Sequence, residues 1–213
     1  MHIDSLSVGE ISERLSGDGL AFDFGAIRAR IRGVVDGWAD AMKIVYGCYP
    51  MTDPSGIFAI TAELRQARGV RRSIFPQIDL TVDGFVPFEP FPAATHMPLL
   101  EWGLNFHIAN RCHGLLLLHS GALARGKSGL LLPAVPGAGK STLTAALMGR
   151  GYRLLSDEFG AIDPESGVLR PIVRPIALKN ESIEVIARFA PTLRIGPFFP
   201  KTRKGTVAHV APN

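Results

Sequence analysis

The sequence predicts an α/β fold, with a mixed α+β region over residues 1–110 and an α/β domain built around a strand–loop–helix unit over residues 111–213. Three observations carry that prediction. A glycine-rich loop, Ala134-Val135-Pro136-Gly137-Ala138-Gly139-Lys140-Ser141, sits between an apolar strand-like run and a helical pattern. An acidic pair, Asp157-Glu158, ends the next apolar run, 17 positions beyond Lys140. Upstream, short periodic segments alternate between helical and strand spacing, with turn residues between them.

Taken in order, residues 8–15 read as a short helix, 20–24 as a strand and 34–46 as a second helix. Residues 57–64 and 73–82 read as β-rich segments. The stretch 84–92 carries Pro87, Pro90 and Pro92, which argues against a central strand and suits a linker. It leads into a helix over 97–110. Leu115-Leu116-Leu117-Leu118-His119 has the look of a buried strand. Residues 122–125, a turn at 126–129 and residues 130–133 then read as a hairpin feeding the glycine loop. A helix over 140–150 stops at Gly151. Residues 152–156 form a strand that ends on the acids, and 159–163 with 168–173 make a second hairpin. Asn180 is placed to cap a helix running to about Phe189. Beyond it come Arg194, Lys201, Arg203 and Lys204 with no acid, a pattern usual for a solvated segment.

Composition narrows the classes. Of 213 residues 46% are hydrophobic and 20% charged, which excludes compositional disorder. The net charge of +4 suits a partner bearing phosphates or carboxylates, without demanding nucleic acid. Two distant cysteines, Cys48 and Cys112, exclude a disulfide framework and a zinc site built on cysteine pairs. No apolar run is long enough to cross a bilayer, so no membrane partner is expected. The first residues do not form a signal peptide, and a reducing, cytoplasmic compartment is expected.

The loop is the most specific signal. Gly137 and Gly139 let the backbone bend so that its N–H groups converge on oxygen anions. A helix starting at Lys140 aims its positive end at the same point. The Lys140 ammonium can reach phosphates and the Ser141 hydroxyl can ligate magnesium. Alanine stands at position 134 where the pattern has glycine, which is tolerated if its φ is negative. From Lys140 to Asp157 there is room for one helix and a return strand lying beside the loop strand. The acids are then expected at the carboxyl end of a parallel strand, next to the phosphates. One of Asp157 and Glu158 can serve magnesium while the other accepts a hydroxyl proton; the alternative is a solvated strand end. His119 is either a hydrogen-bonded core residue or a site residue. His96, His107 and His113 are read as structural. Arg174 and Lys179, with Asn180 following, are either cations near a phosphate or an acidic substrate, or exposed charges beside a helix cap.

With these residues in place, the chain resembles a known family. His119, the loop Pro136-Gly137-Ala138-Gly139-Lys140-Ser141-Thr142 and the run Arg153-Leu154-Leu155-Ser156-Asp157-Glu158 are similar to the catalytic domain of HPr kinase/phosphorylase. More narrowly, residues 119–182 resemble the HPr kinase-related kinase A group. The resemblance implies a P-loop kinase domain of the type shared with ATP-dependent phosphoenolpyruvate carboxykinases. It implies ATP and Mg2+ as cofactors and a serine hydroxyl of a protein or peptide as acceptor. It places His119, Lys140, Asp157 and Glu158 in the active site, Ala134, Pro136, Gly137, Ala138, Gly139, Lys140, Ser141 and Thr142 on the nucleotide, and Ser141, Asp157 and Glu158 on the metal. The family has two aspartates where this chain has Asp157 and Glu158, so which acid is base stays open. The family's second glycine-rich signature is not visible, and Lys179-Asn180-Glu181-Ser182 stands in its place. HPr itself and the reverse phosphorolysis are therefore not implied, and homo-oligomer formation is left open. Only 101 residues follow Cys112, short for such a domain, which points to truncation at the C-terminus. A small-molecule phosphate acceptor, a carboxykinase-like enzyme and a non-catalytic nucleotide-binding module are the competing readings. No guanine-specifying Asn-Lys-x-Asp and no transporter Ser-Gly-Gly-Gln motif occurs.

Overall fold

The computed structural model describes residues 1–67 and 74–213, apart from the Lys201 side chain. It is a mixed α/β fold whose chain divides into two compact units, the first ending at Arg111. Residues 24–26 and 44–48 group with the second unit.

The first unit holds a five-stranded sheet in chain order, from β1 (Leu20–Asp23), β2 (Arg28–Gly33), β3 (Ile60–Gln66) and β4 (Gln77–Val82) to β5 (Phe91–Pro92). β2 and β3 are parallel, with α2 (Trp38–Tyr46) between them in the chain, and the other neighbours are antiparallel. Alternation along the strands decides which face is buried. In β2 the residues Ala29 and Ile31 are fully buried, while Arg28, Arg30 and Arg32 point the other way. Helices α1 (Val8–Ser16) and α3 (His96–Arg111) pack against this sheet. Ser7 and Glu10 form a capping box at the start of α1. Gly103 on α3 admits Leu80 of β4, because a Cβ there would lie 1.9 Å from Leu80 Cδ2. His96 and His107 are buried in α3, and burial pushes His96 down to about 4, so both read as structural. His113 is exposed.

Both predicted helices near the N-terminus are present, the second starting later than expected, at Trp38. β2 was not predicted. The strand expected over 73–82 is observed from Gln77, and Ser73 lies outside the described residues. The proline-bearing stretch yields only the two-residue edge strand β5, as proline's missing N–H requires.

The second unit is organised on β6 (Leu116–Arg125). β7 (Ser128–Pro133) pairs along one edge of it, from Arg125↔Ser128 to Ser120↔Pro133. The other edge carries β8 (Arg153–Ser156) and then β9 (Phe159–Ile162), both antiparallel to β6. Their registers are consecutive: Arg153 faces Ala124, Ser156 faces Ala122, Phe159 faces His119 and Ile162 faces Leu116. β8 and β9 therefore act as one edge strand broken at Asp157 and Glu158. β10 (Leu169–Arg170) closes that side against β9.

This corrects two expectations. The strand before the acids does not lie beside the loop strand; β6 intervenes, and every ladder in this sheet is antiparallel. The leucine run is a strand but not a buried one. Leu116 is 53% exposed and Leu118 37%, and β7 ends opposite Ser120, leaving residues 116–119 with a strand neighbour on one edge, β9.

A second, three-stranded sheet has the order β11 (Ile176–Lys179), β13 (Gly205–Val210), β12 (Phe199–Thr202). Helix α4 (Lys140–Met148) packs against β6 and β11, and α5 (Glu181–Phe189) against α4. Leu123, Ala145, Met148, Leu154, Ile176, Leu178, Ile183, Ile186, Ala208 and Val210 form their shared core. Gly121 lets α4 lie close on β6, since a Cβ there would sit 2.4 Å from Thr144 Oγ1. The expectation of a solvated tail holds for Arg194, Arg203 and Lys204, which are exposed, but not for the residues after them: Val207, Ala208, His209 and Val210 are fully buried in the central strand of this sheet. Among the described residues no helix is long and apolar enough to cross a membrane.

Candidate functional site

β7 ends at Pro133 and α4 starts at Lys140, so the glycine loop spans the strand-to-helix turn as expected. Gly137 has φ 88° and Gly139 φ 84°, the left-handed region that glycine alone enters without strain. No Cβ at either position would meet another atom within 4 Å, so the backbone angle, not crowding, requires glycine. Ala134 is not among the residues with positive φ, which is the condition its tolerance needed. Pro136, Gly137, Ala138 and Gly139 are exposed, while Ala134, Lys140, Ser141 and Thr142 are partly buried. Gly139 is the N-cap of α4 and brings no side chain to it. The first-turn amides thus keep their donors uncapped by a side chain, at the helix's positive end.

On the opposite edge of β6 the acids occupy the bend between β8 and β9. Ser156 shapes it: its Oγ accepts from the N–H groups of Glu158 (3.3 Å) and Phe159 (3.0 Å). The β6–β8 register shifts between Ala122 and Leu123, a break in the ladder just before the acid bend. Asp157 is buried and its Oδ1 has no hydrogen-bond partner among the described residues. Burial raises its carboxyl to about 7, and the neighbouring Glu158 adds to this; the Ser141 and Thr144 hydroxyls and the Lys140 charge oppose it. Glu158 faces a different way, partly exposed, with Oε1 3.5 Å from His119 Nδ1.

Lys140 joins the two edges. Its Nζ lies 2.9 Å from His119 Nε2 and 3.4 Å from Nδ1. An ammonium only donates, so the ring nitrogen facing it accepts. Burial depresses the Lys140 ammonium, and Lys179 depresses it further, while Glu158 and Asp157 support its charge. The structure therefore brings Lys140, Ser141, His119, Asp157 and Glu158 together. His119 is a half-exposed site neighbour of Lys140, not a core histidine.

No protein family, curated protein or solved structure matches this chain.

Two residues beside the site were not singled out in the sequence. Thr144 donates to the Lys140 carbonyl oxygen at 2.9 Å and reaches Asp157. Its spacing of four from Lys140, on the face toward β6, was the available signal. Ser120 is fully buried between His119 and Gly121, with an Oγ lacking a partner among the described residues. Lys179, expected either near a phosphate or acidic substrate or as an exposed charge at a helix cap, ends β11 and is exposed. Asn180 does stand at the N-cap of α5, but with φ 51° and no side-chain cap bond; its Oδ1 accepts instead from the Thr206 N–H at 3.0 Å.

The residues fit a magnesium-bearing nucleotide. A buried carboxylate oxygen with no donor, next to the Ser141 hydroxyl, is a costly arrangement that a cation would relieve.

Proposed function

We propose that this chain is an ATP-dependent kinase of the P-loop, HPr kinase-like type, transferring the γ-phosphate to a serine hydroxyl of a protein or peptide. One observation supports it above the rest: Lys140, leaving the glycine loop, meets His119 while the bend carrying Asp157 and Glu158 lies along the other edge of the same strand. The choice of a serine acceptor rests on the resemblance of residues 119–182.

In this reading the loop amides and the α4 N-terminus bind the phosphates, and Lys140 neutralises their charge. Ser141 and Asp157 are the side chains that would hold magnesium, which when bound offsets charge on the phosphate oxygens. Glu158 is the base. It is the more exposed acid and sits beside His119, where an acceptor can approach. The acceptor hydroxyl gives its proton to the Glu158 carboxylate as its oxygen bonds to the γ-phosphorus. The bond from that phosphorus to the β–γ bridging oxygen breaks, and ADP leaves with the electron pair. His119 orients the Glu158 carboxylate and holds Lys140 in line.

The test is ADP release with magnesium and ATP, alongside intact-mass analysis of candidate acceptor proteins from the same source. A mass gain of one phosphate on a serine, lost in Glu158→Gln, is the expected result. Nucleotide binding with no phosphate transferred to any acceptor or to water would leave a binding module instead.

A further inference from the structure

β6 is longer than the strand that pairs with its loop-side edge. β7 runs from Arg125↔Ser128 to Ser120↔Pro133 and then leaves for the glycine loop. Residues 116–119 therefore have β9 on one edge and no strand on the other among the described residues. The pairing also fixes which main-chain groups face that free edge. Only Gly126 and Lys127 separate Arg125 from Ser128, a two-residue hairpin whose flanking pair exchanges both hydrogen bonds. Bonding direction alternates along a strand, so Arg125, Leu123 and Gly121 aim their N–H and C=O groups at β7. Leu117 and His119 aim theirs the same way, past its end. Pro133 fits that phase, since it stands opposite Ser120, where no donor toward β6 is needed. No turn or loop bond to the main chain of Leu117 or His119 occurs among the described residues.

Sheet edges are usually blunted by charge, proline or short length. This one carries Leu115-Leu116-Leu117-Leu118, with no charged residue and no proline between Gly114 and His119. Leu116 and Leu118 are open to solvent. Free main-chain donors and acceptors beside apolar side chains are complementary to an extended chain. Pairing over four residues falls well short of the roughly 1,200 Å² that a stable interface buries, so the edge suits a transient partner better than a second copy. The edge also runs into the site. Its last residue, His119, has Nε2 2.9 Å from Lys140 Nζ and Nδ1 3.5 Å from Glu158 Oε1. A residue paired opposite His119 carries its side chain on the same face of the sheet, with Cβ atoms about 5 Å apart.

We propose that the free edge of β6 docks the phosphate acceptor by strand addition: an extended peptide segment pairs antiparallel with Leu117 and His119 and stands its serine opposite His119. This rests on the kinase reading above. The serine's neighbours in the segment then fall on the other face, where an apolar side chain packs on Leu118 and a second one on Leu116.

The probe is a blocked peptide with one serine, in which glutamine shares the phase of the serine and valine takes the other. Two further versions are N-methylated, one at the glutamines and one at the valines. Binding is followed with magnesium and a non-hydrolysable ATP analogue, at the Leu117 amide of the full chain carrying isotope-labelled leucine, and phosphate transfer from ATP by intact mass. Methylation at the glutamines, whose N–H groups face β6, is expected to weaken binding and transfer roughly tenfold or more; methylation at the valines leaves both within about threefold. Any other pattern overturns strand addition. Leu117→Pro removes an edge-facing donor where an edge strand tolerates proline, and is expected to lose peptide binding to a similar extent with nucleotide binding and melting unchanged. Phosphate transfer without dependence on methylation phase overturns the docking edge and leaves the kinase reading intact. Phase-dependent binding with no transfer overturns the kinase reading and leaves a peptide-binding edge. Self-association of the wild type that Leu117→Pro abolishes gives the edge to a second copy and overturns the proposal.

Discussion

A Cβ added to Gly137 or Gly139 would meet nothing within 4 Å, whereas one added to Gly160, just past the acid bend, would come within 2.5 Å of both Leu131 Cδ2 and Ser120 Oγ. The two edges of β6 thus constrain their glycines for opposite reasons. The loop edge is open and needs particular backbone angles. The acid edge is packed and needs small volume. The same contrast governs charge: the loop presents exposed amides, while the bend buries Asp157 where water cannot stabilise its ionised form. An exposed loop and a desolvated acid have different vulnerabilities, and substitutions on each should fail differently.

The largest expected effect lies on the packed edge and depends on pH. In the folded protein Asp157 keeps its proton up to about 7, against 3.8 for an ordinary aspartate. Between those values the folded state binds more protons than the unfolded chain, so this residue makes stability fall as pH rises from about 4 to about 7 and level off above. Three units correspond to on the order of 4 kcal/mol. Chemical denaturation of wild type and Asp157→Asn across pH 4–8 should show the variant gaining relative stability through that window. A difference between them that does not vary with pH would mean the carboxyl is not desolvated.

Lys140→Ala comes next, on the open edge. It should weaken ATP binding by about a hundredfold or more, about 3 kcal/mol, with little change in melting temperature. A loss of fold in place of a loss of binding would erase the contrast between the edges. Gly160→Val should cost about 2 kcal/mol of stability by overpacking against Leu131 and Ser120. If it melts with wild type, the acid edge is looser than described. The smallest effect belongs to Gly139→Ala, about 1 kcal/mol of backbone strain at φ 84°, with a larger proportional loss in nucleotide affinity. Equal stability for Gly139→Ala and wild type would show that the loop takes another conformation.

The legible parts of this molecule were local ones. Loop, helix and acid pair form a contiguous stretch whose glycines, helix start and apolar runs signal one another within about 25 residues. Ala134 was legible too, because a single dihedral condition decided it. What was missed depends on distant pairing. Nothing near Ile176 says that it faces Val210, or that β6 slides between β7 and β8. Basic residues at 201–204 drew attention from Val207-Ala208-His209-Val210, a run apolar enough to have been read as a strand. In β2 the signal was present: arginine alternates with Ala29 and Ile31 at the two-residue period of a half-buried strand. Leu116 and Leu118 misled in the other direction, since apolar composition reports nothing about whether an edge finds a neighbour.

The placement of β6 has a dimensional consequence. Strands in a sheet stand about 4.8 Å apart, so the strand leading to the loop and the strand leading to the acids are separated by two such steps, roughly 10 Å. Main-chain ladders set that width, and side chains take no part in it. Side chains on either edge can therefore be exchanged residue by residue while the spacing that β6 sets between them stays constant.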